Sequence, residues 1–216
     1  MPASMVIQQP SGIAGQLILL FHGVGANAQN MVPVGRALAK EIPDAFVVSV
    51  DAAQACDMGV GRQWFSVRGV TEENRIARVE AAMPDFLAAI RRWQGEARVG
   101  DEATTWVGFS QGAIMALEAT QRTPILARRV IAIAGRFAQP LRVAPPATTL
   151  NLIHGEQDSV IPVSHSIDAA TRLQGLGADA TIDLIPGLGH GIDGRVLDRI
   201  LERMQAPPVD SWAQTI

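Results

Sequence analysis

Thr104-Thr105-Trp106-Val107-Gly108-Phe109-Ser110-Gln111-Gly112-Ala113-Ile114-Met115-Ala116-Leu117-Glu118 passes from β-branched and aromatic residues, through a Gly-x-Ser-x-Gly pentapeptide, into a run of good helix formers. The pentapeptide alone carries little, because a chain with 20 glycines and nine serines produces it by chance roughly 0.08 times. Its setting carries more. A strand that turns sharply into a helix forces unusual backbone angles on the corner residue. It also brings neighbouring chain close, leaving no room for side chains at Gly108 and Gly112. Such a corner presents Ser110 at the C-terminal edge of a sheet, as a nucleophile elbow does. The competing reading, a serine capping an ordinary strand-to-helix turn, loses ground once a base and an acid for Ser110 are found further along the chain.

Outward from this corner, Leu17-Ile18-Leu19-Leu20-Phe21, Phe46-Val47-Val48-Ser49-Val50, Val130-Ile131-Ala132-Ile133 and Leu150-Asn151-Leu152-Ile153 are apolar without alternation, which predicts strands buried on both faces. Thr104 to Phe109 is a weaker strand candidate, and Thr181 to Ile185 alternates as a more exposed strand would. Between them, Ile76, Val79, Met83, Phe86, Leu87 and Ile90 recur at three- and four-residue steps and predict an amphipathic helix, with Thr71 as N-cap and Pro84 as a kink. Residues 31–40, 113–122, 165–176 and 195–204 also fit helices. Strand and helix therefore alternate, which implies right-handed crossovers and an α/β fold: a mainly parallel central sheet with helices on both faces. We expect one domain over residues 1–205 and a tail over 206–216 containing Pro207 and Pro208.

Composition narrows the function classes. The chain has 216 residues, 48% hydrophobic and 18% charged, which argues against disorder. Its net charge of −3, with no basic stretch interleaved with aromatics, argues against nucleic-acid binding. The single cysteine, Cys56, cannot close an intrachain disulfide and fits a reducing compartment. The N-terminus lacks a signal-peptide pattern, and the apolar run from Gln16 to Phe21 is far short of the roughly 20 residues that span a bilayer. The expected location is cytoplasmic, without stable membrane insertion.

A serine hydroxyl needs a positioned base at neutral pH. Of four histidines, His22 and His154 end strands and precede glycine, where hydrogen bonds to backbone would hold the adjoining loops. His165 opens a helix and is expected to be solvated. His190, in Gly187-Leu188-Gly189-His190-Gly191 after the last strand, completes the order Ser, Asp, His. The acid that orients it should lie on a loop between Ser110 and His190. Asp158 fits best, with Glu156 next, whereas Asp193 is too close in sequence to reach across the ring. An acyl-transfer oxyanion also needs donors. The Gln111 amide opens the elbow helix, and Phe21-His22-Gly23-Val24-Gly25-Ala26-Asn27 can curl to aim the Val24 amide at Ser110. An ordinary glycine-rich turn is the alternative for that segment. It lacks the third glycine and the lysine of phosphate-binding loops.

Together, Phe21-His22-Gly23-Val24-Gly25, Gly108-Phe109-Ser110-Gln111-Gly112, His154-Gly155-Glu156-Gln157-Asp158 and Gly189-His190 resemble the phospholipase/carboxylesterase and acyl-protein thioesterase family of α/β-hydrolases. The resemblance runs from about Gln16 to Met204. It looks closest to the small bacterial carboxylesterase branch, for which Arg62-Gln63-Trp64-Phe65-Ser66-Val67 and the stretch from Gln111 to Glu118 are familiar. It implies a lidless hydrolase of carboxylic esters or thioesters, with Ser110, Asp158 and His190 as triad and Val24 and Gln111 as oxyanion donors. Ala26 stands where the eukaryotic thioesterases commonly carry an acidic residue, which weakens the case for protein depalmitoylation. Only residues 135–147 separate two strand candidates where many relatives insert a cap, so no cap domain is expected.

An open site favours short or partly exposed acyl groups. Trp64 and Phe65, in the long aperiodic stretch from Ala52 to Val70, are either an apolar wall for substrate or ordinary core. Arg62 is more readily a solvated side chain than an anion contact. The expected reaction is attack by Ser110 on a short or medium acyl ester, with no cofactor and no metal, since no ligand-spaced His/Glu cluster occurs. The alternatives are an acyl-protein or carrier thioesterase or lysophospholipase, and a catalytically silent binding module on the same fold. Oligomeric state is not legible.

Overall fold

The computed structural model describes residues 4–207. The expected tail, apart from its first two residues, lies outside the described residues. In chain order the main elements are β1 (Met5–Gln8), β2 (Gln16–Phe21), α1 (Val32–Glu41), β3 (Ala45–Val50), β4 (Gln54–Ala55), β5 (Arg62–Gln63), α2 (Glu72–Ala97), β6 (Thr104–Phe109), α3 (Gln111–Ala119), β7 (Arg129–Ile133), β8 (Thr149–Gly155), α4 (Ser164–Gly175), β9 (Ala180–Ile185) and α5 (Gly194–Gln205).

Seven strands form one sheet in the order β1-β3-β2-β6-β7-β8-β9. β1 pairs antiparallel with β3, and every other neighbouring pair is parallel. The missing alternation in β2 and β3 has a direct cause: both faces are covered. Leu17, Leu19 and Phe21 pack beneath α2 and α3 with Phe86, Ile90 and Met115. Ile18 and Leu20 join Val34, Leu38, Val196 and Ile200 of α1 and α5 on the opposite face. Each such side chain contributes about 1.5–3 kcal/mol by leaving water. β9, at the sheet's edge, keeps the mixed burial that its alternating sequence suggests.

Several local expectations are sharpened. Thr71 caps α2 through a reciprocal pair: its side chain accepts from Asn74 N at 3.3 Å, and its own amide donates to Asn74 Oδ1 at 2.9 Å. α2 continues through Pro84 to Ala97. β6, the weakest of the internal strand candidates, is the central strand. Thr104 is fully buried there because its hydroxyl donates to the Gly100 carbonyl at 2.7 Å, so its polarity costs little. β1 and the two-residue β4–β5 hairpin were not legible; the hairpin lies inside the stretch without period. Between β7 and β8 the chain forms no helix or strand, in keeping with the expected absence of a cap. No helix among the described residues is long and apolar enough to cross a membrane.

Candidate active site

Ser110 occupies the corner between β6 and α3 with φ 52° and ψ −115°. Such a backbone costs an L-residue about 1–3 kcal/mol and persists because its surroundings fix it. The Ser110 amide donates to the Ile133 carbonyl at 2.9 Å. A Cβ on Gly108 would lie 2.7 Å from backbone atoms of Ala113, and one on Gly112 would lie 2.3 Å from the Phe21 carbonyl oxygen. The two glycines are thus required by close approach of the chain on either side of the serine.

The C-terminal ends of β8 and β9 supply two further groups. His190 Nε2 lies 2.9 Å from Ser110 Oγ, and His190 Nδ1 lies 2.7 Å from Asp158 Oδ2. A carboxylate only accepts, so the imidazole proton sits on Nδ1, leaving Nε2 to accept from the serine hydroxyl. The loops carrying these groups are tied together by the Gln157 amide, which donates to the Leu188 carbonyl at 2.9 Å. Phe109 packs against the His190 ring at a centroid distance of 5.1 Å. Asp158 Oδ1 accepts from the amides of Val160 and Ile161 at 2.8 and 2.9 Å. Burial alone would raise the Asp158 pKa, but the hydrogen bonds from His190, Ile161 and Val160 outweigh it and hold the carboxyl below its ordinary range.

The Val24 amide donates to no group among the described residues, and the Gln111 amide is in the first turn of α3, where no helical partner exists. The segment around Val24 sits against the serine: a Cβ on Gly23 would be 3.2 Å from Ser110 Cβ. Two contacts fix it. Arg62 pairs backbone to backbone with Gly25 and Ala26 at 2.9 and 2.7 Å. His22 Nε2 accepts from the Ala52 amide at 3.1 Å, so its proton is on Nδ1, which donates to the Gly23 carbonyl at 2.7 Å. A trans peptide is planar, so anchoring that carbonyl turns the Val24 N–H the opposite way. Burial lowers the His22 pKa, against the upward pull of the Gly23 carbonyl and Asp51.

Trp64 and Phe65 are 6% and 2% exposed. The expectation that they form an apolar wall open to substrate is therefore corrected. Trp64 sits edge-on to Phe21 and Phe86 in the core, and burying these rings releases more water than a shallow wall would. Their backbone, however, meets the site: Gln111 Oε1 accepts from the Trp64 amide at 2.8 Å, and Gln111 Nε2 donates to the Phe65 carbonyl at 2.6 Å.

Arg62 is only partly exposed, at 25% of its side chain, because it donates to the Ala52 and Ala53 carbonyls and lies 3.3 Å from Asp51. Asp193 caps α5 through the Arg195 and Val196 amides, and Glu156 is exposed. His165 is half-buried at the start of α4, with a pKa lowered by burial and by Arg136. His154 meets the Ile161 carbonyl at 2.9 Å and Ser166 Oγ at 2.7 Å. Cys56 is a free thiol on the β4–β5 hairpin. No group of three or more His, Cys, Asp or Glu side chains among the described residues could hold a metal ion. The clamping roles of the Gln111 side chain and Arg62 escaped sequence reading, because their partners are backbone groups 46 and 10 positions away.

The sequence profile of phospholipases/carboxylesterases matches residues 2–206. The chain is 48% identical over 200 residues to esterase YpfH of Escherichia coli (strain K12), covering 93% of this chain and 86% of that protein. It is 30% identical over 111 residues, 47% of each chain, to acyl-protein thioesterase 1 of Gibberella zeae. The crystal structure of esterase PE8 superposes with a TM-score of 0.84 at 29% identity, covering 94% of this chain and 96% of that one. The chain, with its mainly parallel sheet and sharp serine corner, belongs to the phospholipase/carboxylesterase family of α/β-hydrolases.

Proposed function

We propose that the protein is a serine carboxylesterase that hydrolyses short or medium acyl esters through an acyl-enzyme. The observation that carries this reading is the line from Ser110 Oγ through His190 to Asp158, with steps of 2.9 and 2.7 Å. In this mechanism His190 Nε2 takes the hydroxyl proton as Ser110 attacks the ester carbonyl. Asp158 holds the Nδ1 proton and stabilises the imidazolium. The carbonyl oxygen gains charge and is met by the Val24 and Gln111 amides. His190 then protonates the departing alkoxide, and a water activated by the same nitrogen hydrolyses the acyl-enzyme. No step requires a cofactor.

The absence of helix or strand between β7 and β8 supports an open site and short acyl groups. Cys56, without a disulfide partner, supports a cytoplasmic setting. The match to the fungal thioesterase favours one second reading, hydrolysis of acyl thioesters by the same residues.

A fluorophosphonate probe combined with p-nitrophenyl esters and acyl thioesters graded by chain length tests both readings. Wild type is labelled at Ser110 and turns over short esters best, while Ser110→Ala is folded, unlabelled and inactive. Residual turnover in Ser110→Ala near the wild-type rate removes the nucleophile assignment, and faster thioester than ester turnover selects the second reading.

A further inference from the structure

His154 is the penultimate residue of β8, and its side chain is fully enclosed. Its Nε2 donates to the Ile161 carbonyl at 2.9 Å and also lies 3.1 Å from Asp158 Oδ2, a close charge contact beside that hydrogen bond. Neither can donate, so the proton must lie on Nε2 whatever the state of Nδ1. Nδ1 is held at 2.7 Å by Ser166 Oγ, from the first turn of α4. The Asp158 oxygen that His154 approaches is the one that accepts from His190 at 2.7 Å. The carboxylate is therefore surrounded by two amides on Oδ1 and two imidazoles on Oδ2. A carboxylate with no exposed side-chain surface stays ionised only where donors replace the water it has lost.

We propose that His154 is a positioning residue of the active site: its Nε2–H, locked by Ser166, holds Asp158 Oδ2 where that oxygen orients His190. This rests on reading Ser110, His190 and Asp158 as a triad. The side chain acts through Asp158 and touches no reacting atom. Ser166 extends the chain of contacts one step further, so that α4, on the surface, has a hand in the geometry of the base.

The test measures kcat and KM on p-nitrophenyl butyrate with the full chain, normalised to the fraction labelled by a fluorophosphonate, alongside thermal unfolding. His154→Leu lowers kcat per labelled site roughly 5- to 30-fold, less than loss of a full hydrogen bond to a charged group would give, with KM within about twofold. His154→Gln keeps an N–H at similar reach and recovers much of the loss. Ser166→Ala, a smaller change away from Asp158, lowers kcat about three- to tenfold and serves if His154→Leu does not fold. In an Asp158→Asn background His154→Leu adds less than about threefold, because both changes act on one group.

Unchanged kcat per labelled site in His154→Leu and Ser166→Ala overturns the inference, as does full additivity with Asp158→Asn. A wild-type protein that is not labelled at Ser110 overturns the triad reading itself. A labelled wild type with unaffected variants rejects only the role of His154.

Discussion

Two buried histidines stand at the C-terminal edge of the sheet, His22 directly after β2 and His154 near the end of β8, each followed by glycine. Each is also near a carboxylate, Asp51 at 3.4 Å and Asp158 at 3.1 Å. Their tautomers are opposite. His22 Nε2 faces an amide N–H, so the ring donates from Nδ1 to the Gly23 carbonyl. His154 Nε2 faces a carbonyl and a carboxylate and must itself donate. One ring fixes a peptide plane; the other fixes a charge. The same dipeptide at the same kind of position takes its role from the groups placed opposite it.

The strongest way to break this comparison is to remove the charge. Asp158→Asn should lower kcat/KM by roughly 1,000-fold or more, as loss of the orienting acid does in other triads, while Glu156→Gln stays within about twofold. Steady-state kinetics of the two variants decide it, and the reverse ranking moves the acid to Glu156. Next in size, His22→Leu leaves the Ala52 amide without its partner, while the Gly23 carbonyl keeps the Ala26 amide at 3.3 Å. At about 1–3 kcal/mol for one unsatisfied buried group, urea unfolding should show a loss of about 1–3 kcal/mol. A loss of kcat with undiminished stability would mean that His22 acts in chemistry rather than in holding the loop.

Acid should weaken the fold through His22. The folded-state pKa of His22 is lowered, so the unfolded chain takes up the proton first and stability depends on His22 being neutral. That contribution is present above the unfolded value of about 6.5 and is lost as pH falls from there towards the folded value. Thermal unfolding between pH 7.5 and pH 5 should show a decline in melting temperature that is smaller in His22→Gln. His165 titrates in the same direction, so the decline is reduced rather than abolished. The smallest effect is expected at Glu72. Arg136 beside it, together with Arg75, holds its pKa down to about 2, yet its side chain is 62% exposed. Solvent screens such pairs, so Glu72→Gln should change stability by less than about 1 kcal/mol in the same unfolding assay.

The internal strands and the helices were legible because full burial of β2, β3, β7 and β8 leaves continuous apolar runs, and the amphipathic face of α2 leaves a period. β6 was faint because Thr104 and Thr105 look polar, although the Gly100 carbonyl and Gln94 satisfy the Thr104 hydroxyl and make it acceptable core. Ser110, Asp158 and His190 could be chosen from their order along the chain, and the structure brings the three together at hydrogen-bond distance. The hairpin and the burial of Trp64 and Phe65 were not legible. Two-residue strands have no period, and apolar rings suit a wall or a core equally. The second imidazole on Asp158 was hidden for another reason: in sequence, His154 reads as a strand end, and its reach to Asp158 depends on how the intervening chain folds back.

Gln111 reaches the backbone of Trp64 and Phe65, Arg62 reaches Gly25 and Ala26, and Trp64 Nε1 reaches the His22 carbonyl at 2.8 Å. These contacts close a ring that contains both the Val24 and the Gln111 amides. Mechanically it is a truss rather than two separate brackets: neither amide can shift without straining the contacts that hold the other. Bracing of this kind lies beneath the serine corner, within the fold itself, and needs no element closing over it.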